Sequence, residues 1–454
     1  MNVFIGENSL QDFLNPSNIF TPLVELPSSL NPFIDRNVRI FIKLMSHTSL
    51  FNIKHVTVYS MLARTRIAGK RFIVESSSGN TALTLSILAK YFGYEKTKFF
   101  FSHRVPIGKL NLIKLLADEI EVNKEPLCPD KKDPNSSINK AKSIAQESDF
   151  LNLDQYSNPA NPQGHFEVTG QQILEQLEYA NLHVDYLFAA VGTTGTIVGT
   201  SLKLRERFPS LKTIGVASAD DMVRLGARSK NLLEEIDFEW KSHVDDLVEV
   251  DVQTAFVNSI NLVKSGILVG PSTGHIFGGI LKYVGENNVN NANIVFVSCD
   301  TFLPYVEEYI KYLPSEYMAS VINEDLALNY TKVQAKLAGR NYMDYRIEAD
   351  VFIERYRNLD NNSICIDIRK DSEYSAFRLQ NVERIHEQDL EDETVQSNMI
   401  NNLKSYSSVY VIDCGMSDMA KLVSLILRQQ EVNAYWVDGG MDYISKNWPE
   451  LIVR

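Results

Sequence analysis

The chain has 454 residues, 44% hydrophobic and 22% charged, with a formal net charge of -12; this length predicts two or three domains, each able to bury a core. The acid excess argues against a nucleic-acid partner or an anionic membrane surface, and Cys128, Cys299, Cys365 and Cys414 lie too far apart to suggest a zinc site or a disulfide framework. No apolar run approaches the roughly 20 residues of a bilayer span, and the first residues lack a signal peptide's basic start and apolar centre, so a cytoplasmic protein is expected.

In chain order, residues 38–44 are rich in β-branched side chains and predict a strand. Val56, Tyr59 and Ala63 then recur at helical spacing, which puts Lys54 near a helix start beside an apolar face. Cations prefer the other end of a helix, so Lys54 is either a lysine snorkelling to solvent or a partly desolvated, reactive amine. Residues 72–75 predict a strand, 76–81 a hydroxyl-rich turn, 82–91 a helix, 98–102 a strand and 107–116 a helix; another helix follows Gly164. The apolar run 184–191 predicts a buried strand leading into Gly192-Thr-Thr-Gly-Thr196 and an amphipathic helix over 201–208.

Strand, Gly/Thr turn and helix together make a cup for an anion, since glycine admits close backbone approach and the helix start carries partial positive charge. Phosphate is the expected occupant. No lysine closes the turn as in GxxxxGK[ST], and the GxGxxG spacing is absent. Residues 213–217 and 294–298 predict strands, and a third small-residue turn, Gly270-Pro-Ser-Thr-Gly274, precedes a helix over 275–283. This alternation predicts an α/β fold whose mostly parallel sheet is covered on both faces, with ligands at the carboxyl ends of its strands. Polar, Tyr-rich text over 309–348 predicts a connecting segment, after which strands at 363–368, 409–413 and 434–438 predict a second, smaller α/β domain.

Were the three turns to meet Lys54 at one sheet edge, a reactive amine would stand beside a phosphate cup, the outline of a pyridoxal-phosphate site. The motifs Glu75-Ser-Ser-Ser-Gly-Asn-Thr81, Asp154-Gln-Tyr-Ser-Asn-Pro-Ala-Asn-Pro-Gln-Gly-His165 with Thr169-Gly170, Gly192-Thr-Thr-Gly-Thr196 and Gly266-Ile-Leu-Val-Gly-Pro-Ser-Thr-Gly274 resemble, in order, those of the cysteine synthase (O-acetylserine sulfhydrylase) family of fold-type II pyridoxal-phosphate enzymes. The resemblance implies two open, parallel-rich sheets covered by helices within residues 1–315, and a homodimer. It further implies that Lys54 carries pyridoxal 5'-phosphate and moves the substrate α-proton. Asn80 would meet the ring hydroxyl, Ser272 the pyridine nitrogen, and Gly192, Thr193, Thr194, Gly195 and Thr196 the phosphate. Ser77, Ser78, Thr81 and Gln155 would grip the substrate carboxylate. The implied reaction is β-replacement on an activated L-serine, O-acetylserine or O-phosphoserine, through an aminoacrylate, with sulfide or a carried sulfur giving L-cysteine. An amine nucleophile giving a 2,3-diaminopropionate-type product, or a catalytically lapsed docking protein, are the alternatives.

Departures from the family pattern are Asn52-Ile-Lys-His-Val56 around the lysine, and Thr194 and Ala82 where glycine is usual. The segment Arg224-Leu-Gly-Ala-Arg-Ser-Lys230 resembles a basic stretch of the diaminopropionate-forming branch that uses O-phosphoserine. After an expected helical linker at 316–345, Ile366-Asp-Ile-Arg-Lys-Asp-Ser-Glu-Tyr374, the Cys414 loop and Val437-Asp-Gly-Gly-Met-Asp-Tyr-Ile444 resemble a rhodanese module over 346–454. That resemblance makes Cys414 a possible sulfur carrier. Met419 stands where the family arginine would fall, however, and Asp418 adds negative charge, which weakens a thiolate.

Overall fold

The computed structural model describes residues 3–65, 69–77, 79–125, 132–147, 149–219, 227–322, 324–385 and 393–454. The chain divides into two compact units, one ending at Met318 and the other spanning Ala319–Arg454.

The first unit holds two sheets. In the larger, six strands run in the order Leu23–Glu25, Val38–Lys43, Ala292–Val297, Tyr186–Ala190, Lys212–Ser218 and Asp246–Val250. All neighbours are parallel except Leu23–Glu25, which lies antiparallel on Val38–Lys43. Alternation along the strands explains why helices cover both faces. Val38, Ile40, Ile42, Ile294 and Phe296 pack into one apolar core, while Phe41, Val295 and Val297 pack into another on the opposite side. The smaller sheet runs Glu119–Asn123, Lys96–Ser102, Phe72–Ser76 and Phe150–Leu151, all parallel. Parallel strands bring their carboxyl ends to one edge, and the three small-residue turns follow Ser76, Ala190 and the helix leading from the strand Asp246–Val250.

Two helix starts differ from the expectations. The helix placed over 201–208 begins at Gly195 and runs to Arg205, and the turn at 270–274 is itself the first turn of the helix Pro271–Glu286, with Pro271 at its first position. Between Ala160 and Tyr179 one continuous helical rod contains a π segment, His165–Gly170. Further along that rod, Gln172 and Gln176 both accept from the buried Lys43 Nζ, at 2.9 and 3.0 Å, and Thr21 O takes the third bond at 2.7 Å. Burial lowers the Lys43 ammonium to about 7.

The second unit is built on five parallel strands in the order Arg346–Ile347, Ala434–Val437, Ser408–Ile412, Ser363–Asp367 and Glu383–Arg384. Ile364, Ile366, Val409 and Val411 face one core, and Cys365, Tyr410 and Ile412 the other. The 316–345 stretch contains the helix Glu324–Leu337, whose Val333 and Leu337 pack on Leu422 and Leu425 of the helix Met419–Gln429. No helix among the described residues is long and apolar enough to cross a membrane.

Candidate active site

Lys54 opens the helix Lys54–Arg64, and its Nζ lies 3.5 Å from Thr193 Oγ1, 139 residues away in sequence. Its neighbours His55, Val56, Thr57 and Val58 are buried, so the amine is held beside the core at the positive end of the helix dipole. Burial lowers the Lys54 ammonium from its ordinary value to about 8, against the opposing pull of Cys299 and Glu75. Glu75, at the end of its strand, is pushed up to about 8 by burial, with nearby Asp154 adding to the shift. The Cys299 thiol is pushed up to about 12, again by burial first and Asp300 second.

The cup opposite Lys54 follows the strand Tyr186–Ala190. Thr194, the residue before the helix Gly195–Arg205, has φ +63° and gives that helix no side-chain cap. A left-handed backbone explains why glycine is usual here. Its Oγ1 is buried without a hydrogen-bond partner among the described residues. Thr193 Oγ1 accepts from Asn161 Nδ2 at 3.0 Å, and Thr57 Oγ1 donates to Asn161 Oδ1 at 3.2 Å. Thr196 Oγ1 meets His165 Nε2 at 3.2 Å, while His165 Nδ1 meets Thr169 Oγ1 at 2.9 Å. Burial, reinforced by the Lys54 charge, lowers the His165 ring to about 3, so it stays neutral and serves as a hydrogen-bonding strut. Asn161 and His165 carry no role in the motif-based expectations; their spacing of four on a helix is the signal that puts both on the face toward the cup.

On the smaller sheet's side, Ser77 Oγ accepts from Gly79 N at 3.2 Å and Ala82 N at 3.0 Å. Thr81 Oγ1 donates to Gln155 Oε1 at 2.9 Å, and Gln155 Nε2 donates to Ser76 O at 3.1 Å. Three of the four residues expected to hold a carboxylate are thus brought together; Ser78 lies outside the described residues. Asn80 Nδ2 donates to Asp300 Oδ2 at 2.7 Å. Ser272 is buried in the first turn of its helix, next to Thr273, whose Oγ1 accepts from Cys299 N at 3.0 Å. Since Ile53 N donates to Cys299 O at 2.7 Å, the Cys299 backbone lies between the Lys54 and Ser272 segments. Of the basic segment, residues 224–226 lie outside the described residues. Arg228 is buried, with its guanidinium 4.8 Å over the Tyr156 ring and Nη1 donating to Leu232 O at 3.0 Å.

In the second unit Cys414 is partly exposed and follows the strand Ser408–Ile412. Neighbouring Asp413 occupies the loop. Its Oδ1 accepts from Gly415 N at 2.7 Å, and its Oδ2 from Ser417 Oγ at 2.8 Å and Ala420 N at 3.0 Å. Asp418, at φ +55°, pairs with Lys421 at 2.5 Å.

Residues 14–300 match the model of the pyridoxal-phosphate dependent enzyme family, and the chain belongs to that family. It is similar to cystathionine beta-synthase of Saccharomyces cerevisiae, 26% identical over 71% of this chain and 68% of that protein. It is also similar to cysteine synthase of Staphylococcus aureus, 27% identical over 56% of this chain and 82% of that protein. Among solved structures, a hydrogen sulfide-producing enzyme from Fusobacterium nucleatum is 25% identical with a TM-score of 0.54, over 65% of this chain and 99% of that one. The fold is that of fold-type II members of the family. The chain is therefore an enzyme, and pyridoxal phosphate is its cofactor.

The residues present fit that cofactor. Thr194 holds a buried hydroxyl without a partner at an uncapped helix start, which suits a phosphate ester. A side chain at Gly195 would collide with Asn161, so the glycine lets that amide close on the turn and bond Thr193. Lys54 supplies a partly desolvated amine beside that cup.

Proposed function

We propose that the chain catalyses β-replacement on an activated L-serine, O-acetylserine or O-phosphoserine, with free sulfide as nucleophile, forming L-cysteine and releasing acetate or phosphate. The observation that carries this reading is the contact of Lys54 Nζ with Thr193 Oγ1, which puts the amine at the mouth of an anion cup. The Ser77, Thr81 and Gln155 cluster supports an amino-acid substrate, since its hydroxyls and amide suit a carboxylate. The resemblance to proteins named cysteine synthase and cystathionine beta-synthase supports the reaction class.

Lys54 would carry the cofactor, Gly192–Thr196 its phosphate, Asn80 its ring oxygen and Ser272 its pyridine nitrogen. When bound, pyridoxal phosphate supplies an electron sink for negative charge at the substrate α-carbon. Burial lowers the Lys54 ammonium to about 8, so Nζ is partly neutral near pH 7, as an amine that would hold the cofactor and move the α-proton has to be. Ser77, Thr81 and Gln155 would fix the carboxylate, holding the amino acid in place while Lys54 takes the α-proton, the β-substituent leaves and sulfide adds to the β-carbon.

Free sulfide is preferred over a carried sulfur because of the Cys414 loop. In a persulfide-carrying loop the backbone N–H groups face the sulfur anion, whereas here Gly415 N and Ala420 N are already bonded to Asp413. The test is cysteine formation from O-acetylserine and O-phosphoserine, each with sulfide, in the wild type and in Cys414→Ala. Sulfide-dependent turnover that survives Cys414→Ala supports the reading. A visible cofactor band that neither serine ester perturbs would end it.

A further inference from the structure

Asp300 follows the strand Ala292–Val297 and is 3% exposed. One of its oxygens, Oδ2, accepts three hydrogen bonds: from Asn80 Nδ2 at 2.7 Å, Lys109 Nζ at 3.1 Å and Tyr305 OH at 2.6 Å. Its backbone is tied to both other arms of the site. Gly270 N donates to Asp300 O at 2.8 Å, two residues before Ser272, and Asn52 bridges Asp300 two residues before Lys54. A single residue is thus connected to the segments carrying Lys54, Asn80 and Ser272.

Lys109 completes the arrangement. It comes from the helix Ile107–Lys114 and is buried, with its ammonium 4.4 Å over the Tyr305 ring. Its stem lies across Gly79, which has φ +142°, so closely that a Cβ at Gly79 would stand 2.6 Å from Lys109 Cδ. The Lys109 stem therefore lies over Gly79, directly before Asn80. Asn80 and Lys109 belong to the side of the smaller sheet, Asp300 and Tyr305 to that of the larger.

We propose that Asp300, charge-paired with Lys109, is a positioning residue that fixes the Asn80 carboxamide and, through it, the hold on the cofactor's ring oxygen; this rests on the cofactor site proposed above. An ionised carboxylate only accepts hydrogen bonds, so the NH2 end of Asn80 must face it. One N–H is spent on Asp300, and the second remains to donate to a ligand oxygen. Lys109 supplies the countercharge without which a buried carboxylate would be costly. A role in stability alone would be served as well by an apolar contact between the two sides. The carboxylate differs from such a contact in that it dictates which end of Asn80 is presented.

The test measures pyridoxal phosphate dissociation and the position of the visible absorbance band in the full-length holoenzyme. Asp300→Asn turns an acceptor-only group into one that also donates. It is expected to raise the dissociation constant about tenfold, the size of one charge-assisted hydrogen bond, and to move the band. Lys109→Met is expected to weaken binding as well, and the double variant to lose less than the product of the two single losses, because the pair acts as one unit. An Asp300→Asn enzyme that binds the cofactor within about twofold of wild type with an unmoved band overturns the proposal. If circular dichroism shows Asp300→Asn unfolded, Lys109→Met alone decides: weaker binding with a moved band supports the proposal, and an unmoved band overturns it. A wild type that binds no pyridoxal phosphate overturns the cofactor site itself, and this inference with it.

Discussion

Two loops in this molecule share one local design and end with opposite contents. After Tyr186–Ala190 the chain turns through Thr194 at φ +63° into the helix Gly195–Arg205; after Ser408–Ile412 it turns through Asp418 at φ +55° into the helix Met419–Gln429. Neither preceding residue caps its helix with a side-chain hydrogen bond. In the first loop a buried threonine hydroxyl is left without a partner, and in the second the Asp413 carboxylate takes two backbone N–H groups and a serine hydroxyl. A strand, a left-handed turn and a helix start make a place for negative charge. Whether the chain fills it from within decides whether anything else can enter.

The largest effect that would sharpen this contrast is loss of the amine beside the open cup. Lys54→Ala is expected to reduce turnover by at least about a thousandfold, as for loss of a residue that both bonds and moves a proton. Borohydride should then no longer fix the cofactor to the chain, which mass spectrometry of the treated protein would read. Emptying the filled loop comes next. Asp413→Ala strands three donors and should destabilise the second unit by about 3 kcal/mol, read as an earlier denaturant transition in Trp436 and Trp448 fluorescence.

The pH dependence of stability is a third test, made on the cofactor-stripped protein. The Lys54 ammonium titrates at about 8 when folded against 10.5 ordinarily, so the unfolded chain binds that proton more tightly. Below pH 8 the folded protein bears the full cost of the buried charge, and this cost disappears as pH rises from 8 toward 10.5. Lys54→Met should therefore be more stable than wild type at pH 7 by about 2 kcal/mol, allowing for its partly solvated stem, and the gap should close by pH 10.5. The smallest effect is that of Thr194→Gly. Relieving a β-branched residue at positive φ should stabilise the cofactor-free chain by about 1 kcal/mol, while loss of the hydroxyl weakens cofactor binding. Unfolding midpoints with and without pyridoxal phosphate would show the two shifts in opposite directions.

Much of this was legible in the residues because it is local. The runs at 38–44 and 294–298 announce the buried strands Val38–Lys43 and Ala292–Val297, and glycines beside hydroxyl residues announce the turns. Lys54 at a helix start was visible as an oddity of charge. The strand Glu119–Asn123 was not, since its side chains are mostly exposed and polar and leave no hydrophobic run. The starts of two helices were missed for a related reason: Gly195-Thr196 and Pro271-Ser-Thr-Gly274 have turn-like composition, and tertiary packing overrides it. Asp300 and Lys109 could not be found from spacing, because they stand 191 residues apart and meet only when the two sheets do.

The π segment at His165–Gly170 has a consequence for how the chain tolerates change. One extra residue in that turn rotates everything downstream by about 100° relative to everything upstream. Asn161 and His165 can thus reach the Thr193 and Thr196 hydroxyls, while Gln172 and Gln176 on the same rod clasp Lys43 at the end of the strand Val38–Lys43. Deleting a single residue there would straighten the rod into an ordinary helix whose two ends no longer address their separate targets. One grip would have to let go for the other to hold.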